Sequence, residues 1–510
     1  MGGKRRILIV GGGTAGWLTA AYLAKFLGRA DQGGVEITLL ESPEIGTIGV
    51  GEGAFPTIRT TLQFLGIDES QFIRGASATF KQGIRFNDWL ETPQDGQRSH
   101  FIHPFEAPFY AKEANLVSYW LLQDEATRPP FARAVTIQSR VAEAKRAPKR
   151  PHESEFSGPL NYAYHFDAAR LAGVLSQRAK ELGVAHLQGR LTGVEMTEGG
   201  YINHVVTDAH GTLDADLYID CSGFRGELIG GAMGSPFKSA SKHLFVDRAV
   251  TCRLPDDKPG APIESYTIAA AHEAGWTWDI GLSGARGIGC VYSSAHIDDD
   301  RAEAILRDYI GPRAGGITPR KIAFKTGYRE KQWVKNCVAV GLSAGFLEPL
   351  EATGLVLIEA AAGMIAELFP HNGPIDAPAR RFNELMTARY DNIIIFLKLH
   401  YCLSRRTEPF WRDNADPASI PERLQELLEQ WKYRPPARFD FILDLESFAF
   451  YNYQYILYGM NFRTDMSAGR DDFTNAGVAD SIFARIQKFG DQATRDLPTH
   501  RDLIQQINAA

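Results

Sequence analysis

Arg6-Ile7-Leu8-Ile9-Val10-Gly11-Gly12-Gly13-Thr14-Ala15-Gly16 decides the fold, together with the helical stretch Trp17–Leu27 that follows it. A short apolar, β-branched run leads into a glycine turn and then a helix. Gly11 permits the tight turn, and Gly13 lets backbone approach a pyrophosphate, with Thr14 and Ala15 as further candidate cofactor contacts in the same turn. Gly16 lets helix pack on strand. A second strand is expected over Val35–Leu40. It ends in Glu41, placed to accept hydrogen bonds from a ribose hydroxyl. The pattern predicts an α/β body that binds a dinucleotide. A glycine-rich turn without a ligand is the plainer alternative.

This fingerprint fits NAD and FAD equally. A second glycine-rich loop, Ile48-Gly49-Val50-Gly51-Glu52-Gly53, follows soon after Glu41, and Gly49, Val50 and Gly51 are candidate cofactor contacts. Further on, Leu217–Asp220 runs into Cys221-Ser222-Gly223-Phe224-Arg225-Gly226, which resembles flavoprotein monooxygenases. No second strand–GxGxxG–helix unit stands ready for a nicotinamide cofactor. The expectation is one FAD, with electrons supplied from outside.

Gly341–Phe369 reads GLSAGFLEPLEATGLVLIEAAAGMIAELF. Leu355–Phe369 is almost wholly apolar and is followed by Pro370, so a buried helix with a stop signal is expected. The turn Glu351-Ala352-Thr353-Gly354 would form its N-terminus, where unpaired N–H groups and the helix dipole favour an anion. The plain alternative is a capped core helix with Glu351 in its first turn.

Three other stretches stand out. Thr79–Trp89 (TFKQGIRFNDW) alternates like a strand and carries Lys81, which by base rate would face solvent. Ser99–Glu106 contains His103 and Phe105, for which simple core or edge packing is the plain reading. Gly275–Leu282 (GWTWDIGL) places Trp276, Trp278 and Ile280 on one strand face, either a core stripe or an aromatic wall.

Taken together, these stretches resemble the flavin-dependent tryptophan halogenases over nearly the whole chain. The resemblance implies an FAD-binding, flavoprotein-monooxygenase-like α/β body with a helical C-terminal subdomain. It implies FADH2, O2 and chloride or bromide as reactants, a separate NAD(P)H-dependent flavin reductase, and an electron-rich, indole-like substrate. By the same resemblance Lys81 is the catalytic lysine, and sequence leaves open whether it forms a haloamine or only hydrogen-bonds hypohalous acid. Glu351 would stabilise the cationic ring or take its proton. Thr353 and Gly354 would hold the halide; His103, Phe105 and Phe448 would line the substrate pocket. Trp276, Trp278 and Ile280 would wall the flavin off from the arene.

Three departures from the family pattern are visible. Gly281 stands where proline is usual, and Ala352 where serine is. In an ungapped register Leu443 replaces the glutamate that holds the amino group of tryptophan, which argues against free tryptophan as substrate unless Glu446 takes its place. A flavin hydroxylase and a non-catalytic FAD-binding module remain the competing readings.

The chain of 510 residues, with net charge −6, 44% hydrophobic and 23% charged residues, suits an α/β body to about residue 370 and a helical cap over 371–510. The charge points to neither a nucleic-acid nor a membrane partner. Five scattered cysteines fit reduced thiols in a cytoplasm and have no metal spacing. The polar stretch Gln138–Pro159 reads as a solvated loop, and Ala163–Gly183 as helical. A homodimer follows from family habit alone.

Overall fold

A computed structural model describes residues 5–29, 33–44, 46, 51–94, 98–370, 372–442 and 445–509. The chain forms two compact units. One comprises Met1–Ala78, Phe166–Ser241 and Phe324–Asp391; the other comprises Thr79–His165, Lys242–Ala323 and Asn392–Ala510. The units interleave because each one's sheets recruit strands from separated stretches of chain.

The first unit is built on a six-stranded sheet in the order Trp333–Val334, Cys337–Ala339, Leu217–Asp220, Arg6–Val10, Glu36–Glu41, Ala185–Gln188. Its last five strands are parallel, with Val10 opposite both Asp220 and Leu40. Ile7 to Val10 are all buried, as expected of a parallel strand covered on both faces. Helix Thr14–Leu27 packs beside Ala168–Glu181 and Thr353–Leu368. A hairpin sets Val205 opposite Leu213, and Leu191–Met196 adds a third strand.

The second unit holds a seven-stranded sheet in the order Arg320–Ala323, Arg248–Pro255, Ala285–Tyr292, Gly275–Gly281, Thr267–His272, Gly83–Asn87, His100–Pro104. All pairings are antiparallel except Thr267–His272 with Gly83–Asn87. Helix Phe450–Gly459 packs on the His100–Pro104 edge.

Local readings change where long-range contacts intervene. Thr79–Trp89 is two strands, Thr79–Lys81 and Gly83–Asn87, in different sheets. They part at Gly83, where an added Cβ would lie 2.3 Å from the His103 carbonyl oxygen. Ala163–Asp167 is a strand before its helix starts at Ala168. Gln138–Pro159 is no solvated loop. It includes the helix Gln138–Glu143, and Lys149 is buried, its ammonium donating to the Ser154 carbonyl at 2.7 Å. Among the described residues no helix is long and apolar enough to cross a membrane.

Helix Thr353–Leu368 carries one buried acid, Glu359, whose carboxyl is pushed up to about 7 by burial. The folded state therefore holds this proton more tightly than the unfolded chain does. The resulting stabilisation is complete below the ordinary carboxyl range and is lost as pH rises through about 7. Unfolding free energy should fall by about 2–3 kcal/mol from pH 5 to pH 8 on this account. Denaturant titrations of Glu359→Gln should show that slope removed; an unchanged slope would assign it elsewhere.

Candidate active site

In the first unit the predicted cofactor residues gather at the carboxyl edge of the parallel sheet. This is where open α/β sheets place their ligands. Gly11 has φ 117° and comes so close to Cys221 that a Cβ would lie 2.2 Å from its carbonyl oxygen. A Cβ on Gly16 would meet the Gly11 carbonyl at 1.9 Å. Gly13, by contrast, has nothing within 4 Å of its would-be Cβ, which is the opening a pyrophosphate needs. Thr14 and Ala15 begin the helix. The Glu41 carboxylate lies against Gly12 and accepts a hydrogen bond from His186 Nε2 at 2.9 Å. Gly51 is half-buried in a short strand, while Gly49 and Val50 lie outside the described residues. The residues present fit a dinucleotide.

Asp220, at the end of the next strand, is taken up by its own loop. It accepts hydrogen bonds from the amides of Ser222, Leu228 and Ile229 and from the Ser222 hydroxyl, at 2.6–2.9 Å. It shapes the edge of the site and keeps no free oxygen for a ligand.

The stretch that begins at Gly341 is anchored to the glycine turn. A Cβ on Gly341 would lie 2.7 Å from that of Ala15. The helix starts at Thr353, within the turn expected to form its N-terminus, and Glu351 precedes it. Glu351 and Ala352 both have left-handed backbone, at φ 62° and 55°. Glu351 is therefore not a first-turn helical residue, and its side chain is buried. Thr353 is buried as well, whereas Gly354 has open space where a Cβ would be. No side chain caps this helix, since Ala352 has no hydroxyl to offer. Its first amides therefore receive no side-chain cap.

In the second unit Lys81 is buried on strand Thr79–Lys81, against the expectation for a surface lysine. Its Nζ lies 5.3 Å from the centre of the Phe105 ring, so Lys81 and Phe105 are brought together. Thr79 is on the same strand face as Lys81, and its hydroxyl donates to the Gly281 carbonyl at 2.6 Å. The glycine that replaces the family's proline thus anchors the lysine strand through its carbonyl.

His103 is buried, and its Nε2–H donates to Asn452 Oδ1 at 2.9 Å. Its ring lies 5.9 Å from those of both Phe396 and Tyr455, and Phe396 stacks on Phe448 at 3.9 Å. Asn452 and Phe396 were not singled out from the sequence. The helical spacing of the aromatics after Phe448 was the available signal.

Trp276 and Trp278 are buried, with ring centroids 6.3 Å apart, and Ile280 continues their face. The residues opposite Trp278 are Ala269 and Gly289; those opposite Trp276 are Ala271 and Val291. Small neighbours make room for the large rings. Trp89 braces Trp276 from 6.3 Å. On the other face Asp279 is held by Arg286 and by the Tyr309 hydroxyl, which donates at 3.0 Å.

The sequence model of the tryptophan halogenase family matches residues 6–472. The chain is 37% identical to the tryptophan 6-halogenase of Streptomyces toxytricini over 451 residues, covering 84% of each protein. It is also 37% identical to the tryptophan 7-halogenase of Lentzea aerocolonigenes, over 85% of this chain and 83% of that one. The solved structure of a tryptophan halogenase from Shewanella frigidimarina superposes with a TM-score of 0.93 at 38% identity, covering 99% of this chain and 98% of that one.

The packing of Trp278 can be tested at Gly289. A Cβ there would lie 2.2 Å from the Trp278 ring, whereas at Gly193 it meets only Val206, at 3.6 Å. Gly289→Ala should cost about 1–3 kcal/mol by thermal denaturation, while Gly193→Ala stays within about 0.5 kcal/mol of the parent. Equal losses would mean that Trp278 is free to move aside.

Proposed function

This chain belongs to the tryptophan halogenase family, and we propose that within the family's reaction Lys81 carries the halogen to the ring. The protein is a flavin-dependent halogenase that uses FADH2, dioxygen and chloride or bromide on an aromatic substrate. The chemistry that bound FADH2 supplies is the reduction of dioxygen that turns halide into hypohalous acid. The glycine turn at Gly11–Gly16, with Glu41 beside it, would hold that group. A separate flavin reductase provides the reducing equivalents.

The rest falls to the chain's own side chains. Thr353, through its hydroxyl, and Gly354, through its amide, bind the halide. Trp276, Trp278 and Ile280 wall the flavin off from the arene, so that the two do not react directly. The Lys81 amine receives hypohalous acid and presents its halogen to the ring. A carbon–halogen bond forms, the ring proton leaves with Glu351 as the accepting group, and water is the by-product. The observation that carries this reading is the burial of Lys81 beside Phe105, since a lysine with no task at that place belongs in solvent. The five free cysteines support a reducing, cytoplasmic setting.

The substrate we infer is an indole without a charged amino-acid head. His103, Phe396, Phe448 and Tyr455 form an aromatic cluster suited to such a ring. Leu443, where the family's ammonium-binding acid falls, lies outside the described residues and brings no charge.

With FAD, reductase, NADH, bromide and indole, mass spectrometry should show a monobrominated ring. Lys81→Ala should lower the rate at least about 100-fold with FAD affinity unchanged. Brominated product made at the parent rate by that variant would overturn the role of Lys81. Indole should exceed tryptophan in kcat/KM by about 10-fold or more. A preference for tryptophan that Glu446→Gln abolishes would overturn the substrate assignment.

A further inference from the structure

Glu359 is an anomaly in its helix. Thr353–Leu368 is otherwise apolar and small-residue in character apart from Glu367 near its end. Glu359 is only 8% exposed, and none of the steps above uses it. Its two oxygens accept hydrogen bonds from the hydroxyls of Thr57, at 2.9 Å, and Thr61, at 2.5 Å. Those threonines are one turn apart on helix Thr57–Leu65, so both hydroxyls point from one face.

Burying a carboxyl is costly, and well-packed apolar residues would join two helices at less expense of stability. Apolar contacts, however, tolerate sliding and rotation. Two hydrogen bonds from successive turns to one planar group fix both the rotation of a helix about its axis and its position along it.

What that register governs lies upstream in the same helix. Thr353 and Gly354 sit about 8–9 Å from Glu359 along the axis at 1.5 Å per residue. The turn before them holds Glu351 and Ala352 in left-handed backbone without a side-chain cap. Such a turn persists only where surrounding structure over-determines it. Helix Thr57–Leu65 itself follows closely on the strand Gly51–Gly53 of the second glycine-rich loop.

We infer that Glu359 is a positioning residue: clasped by Thr57 and Thr61, it sets the register of helix Thr353–Leu368 and so places the Thr353 hydroxyl and Gly354 amide for halide. This rests on the reading of Thr353 and Gly354 as the halide site. Burial raises the Glu359 carboxyl to about 7, so below neutrality it sheds a charge that would oppose an anion. Glutamine keeps both the shape and the hydrogen-bonding capacity and should substitute for it.

The test is bromide affinity of the FAD-loaded protein by titration calorimetry, with melting temperature and FAD affinity followed in parallel. Glu359→Leu should weaken bromide binding about 10-fold while FAD affinity holds. Thr57→Val and Thr61→Val should each weaken it about 3-fold, and Glu359→Gln should restore the parent value. A purely structural role would lower the melting temperature and leave bromide affinity of the folded protein unchanged, which overturns the inference. Should Glu359→Leu fail to fold, the two threonine variants decide by the same criterion. Parent protein that binds no bromide would overturn the halide-site reading itself; parent binding with unaffected variants overturns only the role of Glu359.

Discussion

Two neighbouring residues with side chains, Glu351 and Ala352, are held at positive φ immediately before a buried helix. Left-handed backbone costs about 1–2 kcal/mol for each such residue. The turn is retained because of what it places. It withdraws Glu351 from the helix and buries its side chain. It also opens the helix at Thr353 with its first amides uncapped. At the other end of the same segment Gly341 touches Ala15, so the turn is tied to the glycine loop at the sheet edge. In this unit the residues expected to hold the cofactor and those proposed to hold the halide are placed by one chain path.

The second unit solves a different problem, that of keeping a lysine and two indoles out of water. Its solution is volume matching across strands. Tryptophans on Gly275–Gly281 face alanines on one neighbour, Trp278 faces a glycine and Trp276 a valine on the other, and Trp89 packs beside Trp276. The lysine strand is fastened to this sheet by the Thr79 hydroxyl on the Gly281 carbonyl. The cost of burying polar groups is met by specific partners, as at His103 with Asn452 and at Asp279 with Arg286 and Tyr309.

The parts legible in the sequence are those written locally. The glycine turn after Ile7–Val10, the acid ending the second strand and the Trp-x-Trp-x-Ile alternation each carry their geometry within a few residues, and each stands where it was expected. The family resemblance supplied the roles of Lys81 and Glu351, which spacing alone does not give. Illegible were the features made by distant contacts. An apparently continuous strand ends at Lys81 and resumes in another sheet at Gly83, where the His103 carbonyl comes too close for a side chain. Asn452 meets His103 across 349 positions, and Thr57 meets Glu359 across 302. The left-handed pair was hidden for another reason: glutamate and alanine are strong helix formers, and tertiary structure overrides that preference. The interleaving of the two units is likewise a property of sheet pairing, which no local pattern records.

The turn at Glu351–Gly354 is proposed to hold a halide, and anomalous diffraction from crystals of the FAD-loaded protein soaked in bromide can locate that ion. A bromide peak is expected within hydrogen-bonding reach of the Thr353 hydroxyl and the Gly354 amide. Bromide found only beside surface arginines and lysines, with that turn empty at saturating concentration, would contradict it.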